Sequence, residues 1–235
     1  MNSSDVVEVL TNGEIEVLGR IVESSNQALL VNVTFHDTSL KACYKTELGE
    51  RPLWDFPEGL WRREVAAWVL SDYLGLELIP VTVARDDGPF GPGSLQQWVE
   101  DTTGDHYFTL SDRAELKSWF QSLVAFDLIA NNTDRKSGHV IFDGSRCWAI
   151  DQGLCFSEDD KVRTVLWDFG GNEIQPSDRV ALERAVHLPE ELLAGLLDPV
   201  EINEIRRRAS DLLEIGYFPE PDEDREWPPY PWPLV

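Results

Sequence analysis

The chain has 235 residues, 42% of them hydrophobic, which is enough to bury one sizeable core but short for a two-lobed enzyme with long insertions. Its formal net charge of -23 opposes binding to nucleic-acid phosphates and to an anionic bilayer surface. No apolar run is long enough to span a bilayer and the polar, acidic start carries no secretory signal. The expectation is therefore a cytoplasmic protein with no nucleic-acid partner and no integral membrane association.

Residues 15–21 and 28–33 read as strands separated by a polar turn, Glu23-Ser24-Ser25-Asn26-Gln27. Residues 39–45 alternate so that Lys41, Cys43 and Lys45 share a face. The segment 49–59 mixes turn formers with Trp54 and Phe56, which must either pack on the first lobe or face a substrate or protein partner. Glu64 then opens a helical pattern over 64–74, with Arg62 and Arg63 beside it as competing ion-pair partners. A strand signal over 79–84, a turn-rich link over 86–93 and a last strand over 94–99 complete the first half.

In the second half, Ser111-Asp112 signals a helix start and 118–129 is an apolar helical run. A polar loop follows, and then two short buried strands, 140–142 and 147–150, joined by the hairpin signal Asp143-Gly144. The loop entering this hairpin holds Asp134 and the exit from it holds Asp151. Both carboxylates can then face one cleft, as phosphoryl transfer requires. Residues 161–169 are basic and aromatic. Two amphipathic helices are predicted over 178–185 and 190–210, the latter broken near Asp198-Pro199, with a third over 211–215. His187 marks a boundary. The tail 219–235 is acidic and then Pro/Trp-rich, and is expected to lie extended against the domain because exposed aromatics are costly. Cys43, Cys147 and Cys155 lack metal-ligand spacing and read as buried thiols.

Three motifs carry a resemblance to a known group. Asn132-Thr133-Asp134-Arg135, Ile150-Asp151-Gln152-Gly153-Leu154 and the stretch 93–100 resemble the catalytic loop, metal loop and hinge of the phosphatidylinositol 3-/4-kinase superfamily. Within it, type II phosphatidylinositol 4-kinases and a family of small actinobacterial kinase-like proteins are the nearest matches. The toxin kinases of the HipA group are a more distant comparison. The likeness runs from about Ile15 to Trp167, with the motifs in the expected order.

The resemblance implies a compact two-lobed α+β fold of the protein-kinase-like type, a single domain with a small antiparallel β lobe (15–99), a mainly helical lobe (100–218) and the tail. Ser24, Ser25 and Asn26 would cover the ATP phosphates, although this turn lacks glycine. Lys45 would contact the phosphates and pair with Glu64, and Gln96, Gln97, Trp98 and Val99 would line the adenine hinge. Asp134 would orient the acceptor hydroxyl, with Arg135 balancing its charge or steadying the loop, and Asp151 would coordinate the cation. Where the superfamily has asparagine as second metal ligand, this chain has His139, expected within reach of the metal. Mg²⁺ prefers hard oxygen ligands, so the imidazole brings Mn²⁺ into question as an alternative. The reading is an ATP-dependent kinase acting on a hydroxyl of a lipid, an inositol-type small molecule or a protein. The rivals are a nucleotide-binding pseudokinase, with the 49–59 loop or the tail as its contact to a protein partner, and an AMP transferase.

Overall fold

Val31 and Val33 on one strand, and Ala42 and Tyr44 on the next, alternate with more exposed neighbours, so the first sheet has one apolar face. In the computed structural model, which describes residues 1–21, 27–222, 224 and 228–235, this sheet has five antiparallel strands. They are β1 (Glu14–Arg20), β2 (Leu29–Phe35), β3 (Thr38–Thr46), β4 (Thr82–Arg85) and β5 (Gly93–Gln97), in the order β1-β2-β3-β5-β4. The turn assigned to phosphate binding, Ser24 to Asn26, lies outside the described residues, as does Trp227 of the tail. Strand β4 starts at Thr82 rather than Ile79, consistent with Pro80 having no N–H for a ladder. Strand β5 ends at Gln97, which leaves Trp98 and Val99 in the link to the second lobe.

Helix α1 (Ser3–Asn12) adds to the predicted elements and covers the apolar face of the sheet. Its Val6, Val9 and Leu10 recur at helical spacing, and Asn2 caps it by accepting from the Asp5 N–H at 2.9 Å. Helix α2 (Leu60–Leu74) begins at Leu60, not at Glu64. The Glu50 carboxylate accepts from the N–H groups of Gly59 (2.9 Å) and Trp61 (2.8 Å), satisfying donors that a helix start leaves unpaired. Ala66, Ala67, Leu70 and Leu74 of α2 join the larger core, in the second lobe, while Trp68 touches both cores.

The second lobe contains α3 (Tyr107–Leu110), α4 (Lys117–Ile129), the hairpin β6 (Val140–Phe142) and β7 (Cys147–Ala149), α5 (Pro176–Val186), α6 (Glu190–Leu193) and α7 (Pro199–Ile215). Ser111 and Asp112 lie in a turn after α3, so α4 starts later than the sequence predicts. The separate helix expected over 211–215 is the end of α7, which continues to Gly216, a residue with φ 77°. Leu123, Phe126, Leu182, Ile205 and Ala209 form the centre of this lobe. No helix of the described residues is long and apolar enough to cross a membrane.

Among its described residues, the tail is held by prolines and carbonyls rather than by Tyr230 and Trp232. Pro229 and Pro231 are buried, whereas Tyr230 and Trp232 are exposed, contrary to expectation. Pro229 O accepts from the Thr164 N–H (3.1 Å) and Trp167 Nε1 (2.9 Å), and Leu234 O accepts from the Ser137 N–H (2.8 Å). The 49–59 segment also divides its aromatics. Phe56 is buried between Arg63 and Lys161, and Trp54 is exposed. Cys147 and Cys155 are buried, but Cys43 is only half-buried because it faces away from the apolar side of β3.

Candidate active site

The pleat of β3 turns Ala42 and Tyr44 into the core and sends Lys45 to the opposite face. There the Lys45 ammonium pairs with Glu64 of α2 and lies 2.8 Å from Asp151 Oδ1. Three elements distant in sequence thus meet at one nitrogen. Burial alone would lower the lysine pKa, but Asp151 and Glu64 more than offset it and the value is raised. Burial pushes the Glu64 carboxyl up, while Lys45 and the Gln152 N–H, donating to Glu64 Oε2 at 2.9 Å, pull it down; the net direction is up. For Asp151 burial is outweighed by Lys45 and His139, which hold it well below the usual carboxylate range.

Asp151 has φ 60°, a left-handed conformation that aspartate tolerates better than most residues. Its Oδ2 lies 3.4 Å from His139 Nε2, so the imidazole is turned to this carboxylate and not into the core. Burial lowers the His139 pKa to about 4, leaving a neutral ring at neutral pH. The Lys136 N–H approaches Nδ1 at 3.5 Å. With Nδ1 as acceptor, Nε2–H points at Asp151; ligation of a cation through Nε2 would place the proton on Nδ1 instead. Two donors 3.4 Å apart are close enough to share one ion, and an oxygen with an imidazole nitrogen fits Mn²⁺ readily and Mg²⁺ through the oxygen. Among the described residues there is no group of three or more His, Cys, Asp or Glu able to hold a metal by itself.

Asp134 reaches the same region from the loop after α4. Its N–H donates to Asn132 Oδ1 at 3.0 Å, and its Oδ2 lies 3.0 Å from Lys136 Nζ. Burial raises the Asp134 pKa, with Lys136 opposing. Lys136 is therefore the cation beside this carboxylate, a neighbour the sequence reading passes over. Arg135 points the other way and is fully buried. Its guanidinium forks onto Asp127 of α4 (2.8 and 2.9 Å) and donates to Gln152 Oε1 (2.8 Å) and Ile150 O (3.0 Å). These bonds tie the Asp134 loop to the Asp151 loop. Nothing in the local pattern singles out Asp127, which sits in an apolar helical run.

In the β3–β5 ladder Gln96 opposes Cys43, on the face that carries Lys45, whereas Gln97 opposes Ala42, on the core-facing side and three positions along the strand from Lys45. The Gln96 side chain is buried and donates to Thr82 Oγ1 at 3.0 Å. The Trp98 N–H donates to Lys41 O at 3.0 Å, and Val99 is half-buried beyond it. Ser94, directly opposite Lys45, has a buried hydroxyl with no hydrogen-bond partner among the described residues. It is a further polar group on this face that the sequence reading does not include.

No protein-family model matches the chain. It is 36% identical to "Protein Rv2133c" of Mycobacterium tuberculosis, over 96% of this chain and 94% of that protein. Among solved structures it resembles the Golgi casein kinase with Mn/ADP bound (TM-score 0.56, 14% identity, 90% of this chain and 74% of that one). It also resembles the Helicobacter pylori proinflammatory kinase CtkA (0.53, 11%, 89% and 94%) and hydra Fam20 with sugar (0.53, 11%, 91% and 88%). At these identities the likeness is one of fold. The chain has the two-lobed kinase-like α+β fold, and this likeness does not single out the phosphatidylinositol 3-/4-kinases.

Proposed function

The chain belongs to the family of Protein Rv2133c, and for this member we propose ATP-dependent transfer of a phosphoryl group to a hydroxyl. The observation that carries the reading is the meeting of Glu64 and Asp151 at the Lys45 ammonium, across the cleft of a kinase-like fold. Lys45, steadied by Glu64, would hold the ATP phosphates, with Gln96, Gln97, Trp98 and Val99 at the adenine end and Ser24, Ser25 and Asn26 over the phosphates. Asp134 would orient the acceptor hydroxyl and take its proton; its raised pKa suits that exchange. Asp151, with neutral His139 beside it, would hold a divalent cation, Mg²⁺ or Mn²⁺, which when bound neutralises charge on the phosphates. Arg135 would serve this site by steadying and joining its two loops, with Lys136 the cation in contact with Asp134.

The acceptor class spans lipid, inositol-type and protein hydroxyls. The test is turnover by the purified full chain with Mg²⁺ATP and Mn²⁺ATP, beside Asp134→Ala and Asp151→Ala, using phosphatidylinositol, free inositols and Ser/Thr proteins as acceptors. Each variant is expected to lose roughly 10²- to 10⁴-fold in turnover. Nucleotide binding with no turnover on any acceptor would make the chain a pseudokinase, and no binding with either metal would remove the proposal. An acceptor gaining the mass of AMP instead of phosphate would reassign the transferred group.

A further inference from the structure

Gln152 joins the parts of this site while holding none of the roles the motifs assign. Its main-chain N–H donates to Glu64 Oε2 at 2.9 Å. Its side-chain Oε1 accepts from Arg135 Nη2 at 2.8 Å and from Asn132 Nδ2 at 3.3 Å, and its Nε2 donates to Ile150 O at 3.3 Å. The side chain is fully buried. Asn132 in turn accepts from the Asp134 N–H, and Arg135 grips Asp127. A continuous line of polar contacts therefore runs from Lys45 through Glu64, Gln152 and Asn132 to Asp134.

We infer, building on the phosphotransfer reading, that Gln152 is the positioning residue that sets the loop bearing Asp134 against the helix bearing Glu64. The division of labour is physical. Its main chain fixes Glu64, a task any residue but proline can perform, whereas its side-chain oxygen fixes Arg135 and Asn132. A neutral amide is suited to this place because it lies between two charged clusters, Lys45–Glu64–Asp151 and Asp127–Arg135. It links them without adding a buried charge to either. An apolar side chain of equal length would leave the Arg135 and Asn132 donors each short of an acceptor, and the loop would lose its fixed distance from Glu64.

The experiment compares Gln152→Met with the wild type in the full chain. The variant retains the main-chain bond to Glu64, so the KM for ATP and the affinity for ADP with Mn²⁺ should change little. Turnover should fall roughly 10- to 100-fold, as expected when a supporting contact slackens a reacting group. Unchanged turnover in Gln152→Met, or affinity falling in step with turnover, would overturn the inference. Hydrogen exchange decides the matter separately from catalysis. Amides of Asp134 and Lys136 should exchange faster in Gln152→Met while those of α2 do not, and equal exchange would refute the positioning role. If the wild type turns over no ATP, the phosphotransfer reading fails while the exchange result still stands. Should Gln152→Met not fold, Gln152→Asn, whose amide sits one methylene short, supplies the same comparison.

Discussion

Asn131 occupies a left-handed conformation, φ 50°, immediately after α4 and uses its whole amide there. Its Nδ2 donates to the carbonyls of Ser157 (2.9 Å) and Asp159 (2.6 Å), and its Oδ1 accepts from the Lys161 N–H (3.0 Å). Asn131→Ala removes all three bonds and leaves a Cβ residue without local compensation at positive φ, so a loss of about 2–4 kcal/mol is expected in urea unfolding. A loss under about 0.5 kcal/mol would show that the loop is held by other means. Single residues were legible to different degrees. Lys45, Glu64, Asp134 and Asp151 were legible through the order and resemblance of the motifs that hold them; read alone, Asp134 is a turn residue. Asp127 was not legible, because a lone acid in an apolar helix reads as a misfit until its partner Arg135 is seen around the turn. Of the two roles expected of Arg135, charge balance and steadying the loop, its contacts with Asp127 and Ile150 fit the second, and it is Lys136 that pairs directly with Asp134.

At the scale of elements, the β6–β7 hairpin shows how a turn residue sets a structure. Asp143 Oδ1 accepts from the N–H groups of Ser145 (2.8 Å) and Arg146 (2.9 Å), and its Oδ2 accepts from Trp148 Nε1 (2.8 Å). Burial pushes its pKa up, but these donors win and bring it from 3.8 to about 2. A depressed pKa stabilises the fold above the unfolded value and ceases to do so as pH falls through the folded one. Asp143→Asn should therefore cost about 1 kcal/mol at neutral pH, after allowance for solvent screening, and the gap to wild type should close between about pH 4 and pH 2. A gap that stays constant with pH would mean that charge has no part in the turn. The hairpin was readable because Asp-Gly between apolar runs has few other meanings. The true start of α2 was not, because the carboxylate that caps it comes from Glu50, ten residues before Leu60 in the chain. Likewise the tail's attachment depends on carbonyls of Pro229 and Leu234, and main-chain acceptors leave no signature in a sequence.

The whole molecule carries 43 acidic against 20 basic side chains, and many of the basic ones are already engaged. Arg207 alone serves Asp160, Glu204 and Asp211. Sedimentation with vesicles containing phosphatidylserine, at about physiological ionic strength, is expected to leave the protein in the supernatant. Co-sedimentation would show that a local patch overrides the net field and would favour a lipid acceptor. The two-lobed plan was legible through the motif resemblance, whereas the bonds that tie α2 to the second lobe were not. Arg63 donates to Cys155 O at 2.6 Å and pairs with Glu201 of α7, while the apolar side of α2 belongs to the larger core. Helix α2 also packs on β4 and β5, so the glutamate of the central ion pair sits on an element shared by the two lobes, between the lysine of the sheet and the aspartate after β7. Among the described residues, the Lys45 ammonium is the one point at which sheet, shared helix and the loop after β7 are joined by charge, so its loss would leave Glu64 and Asp151 facing each other without a cation between them.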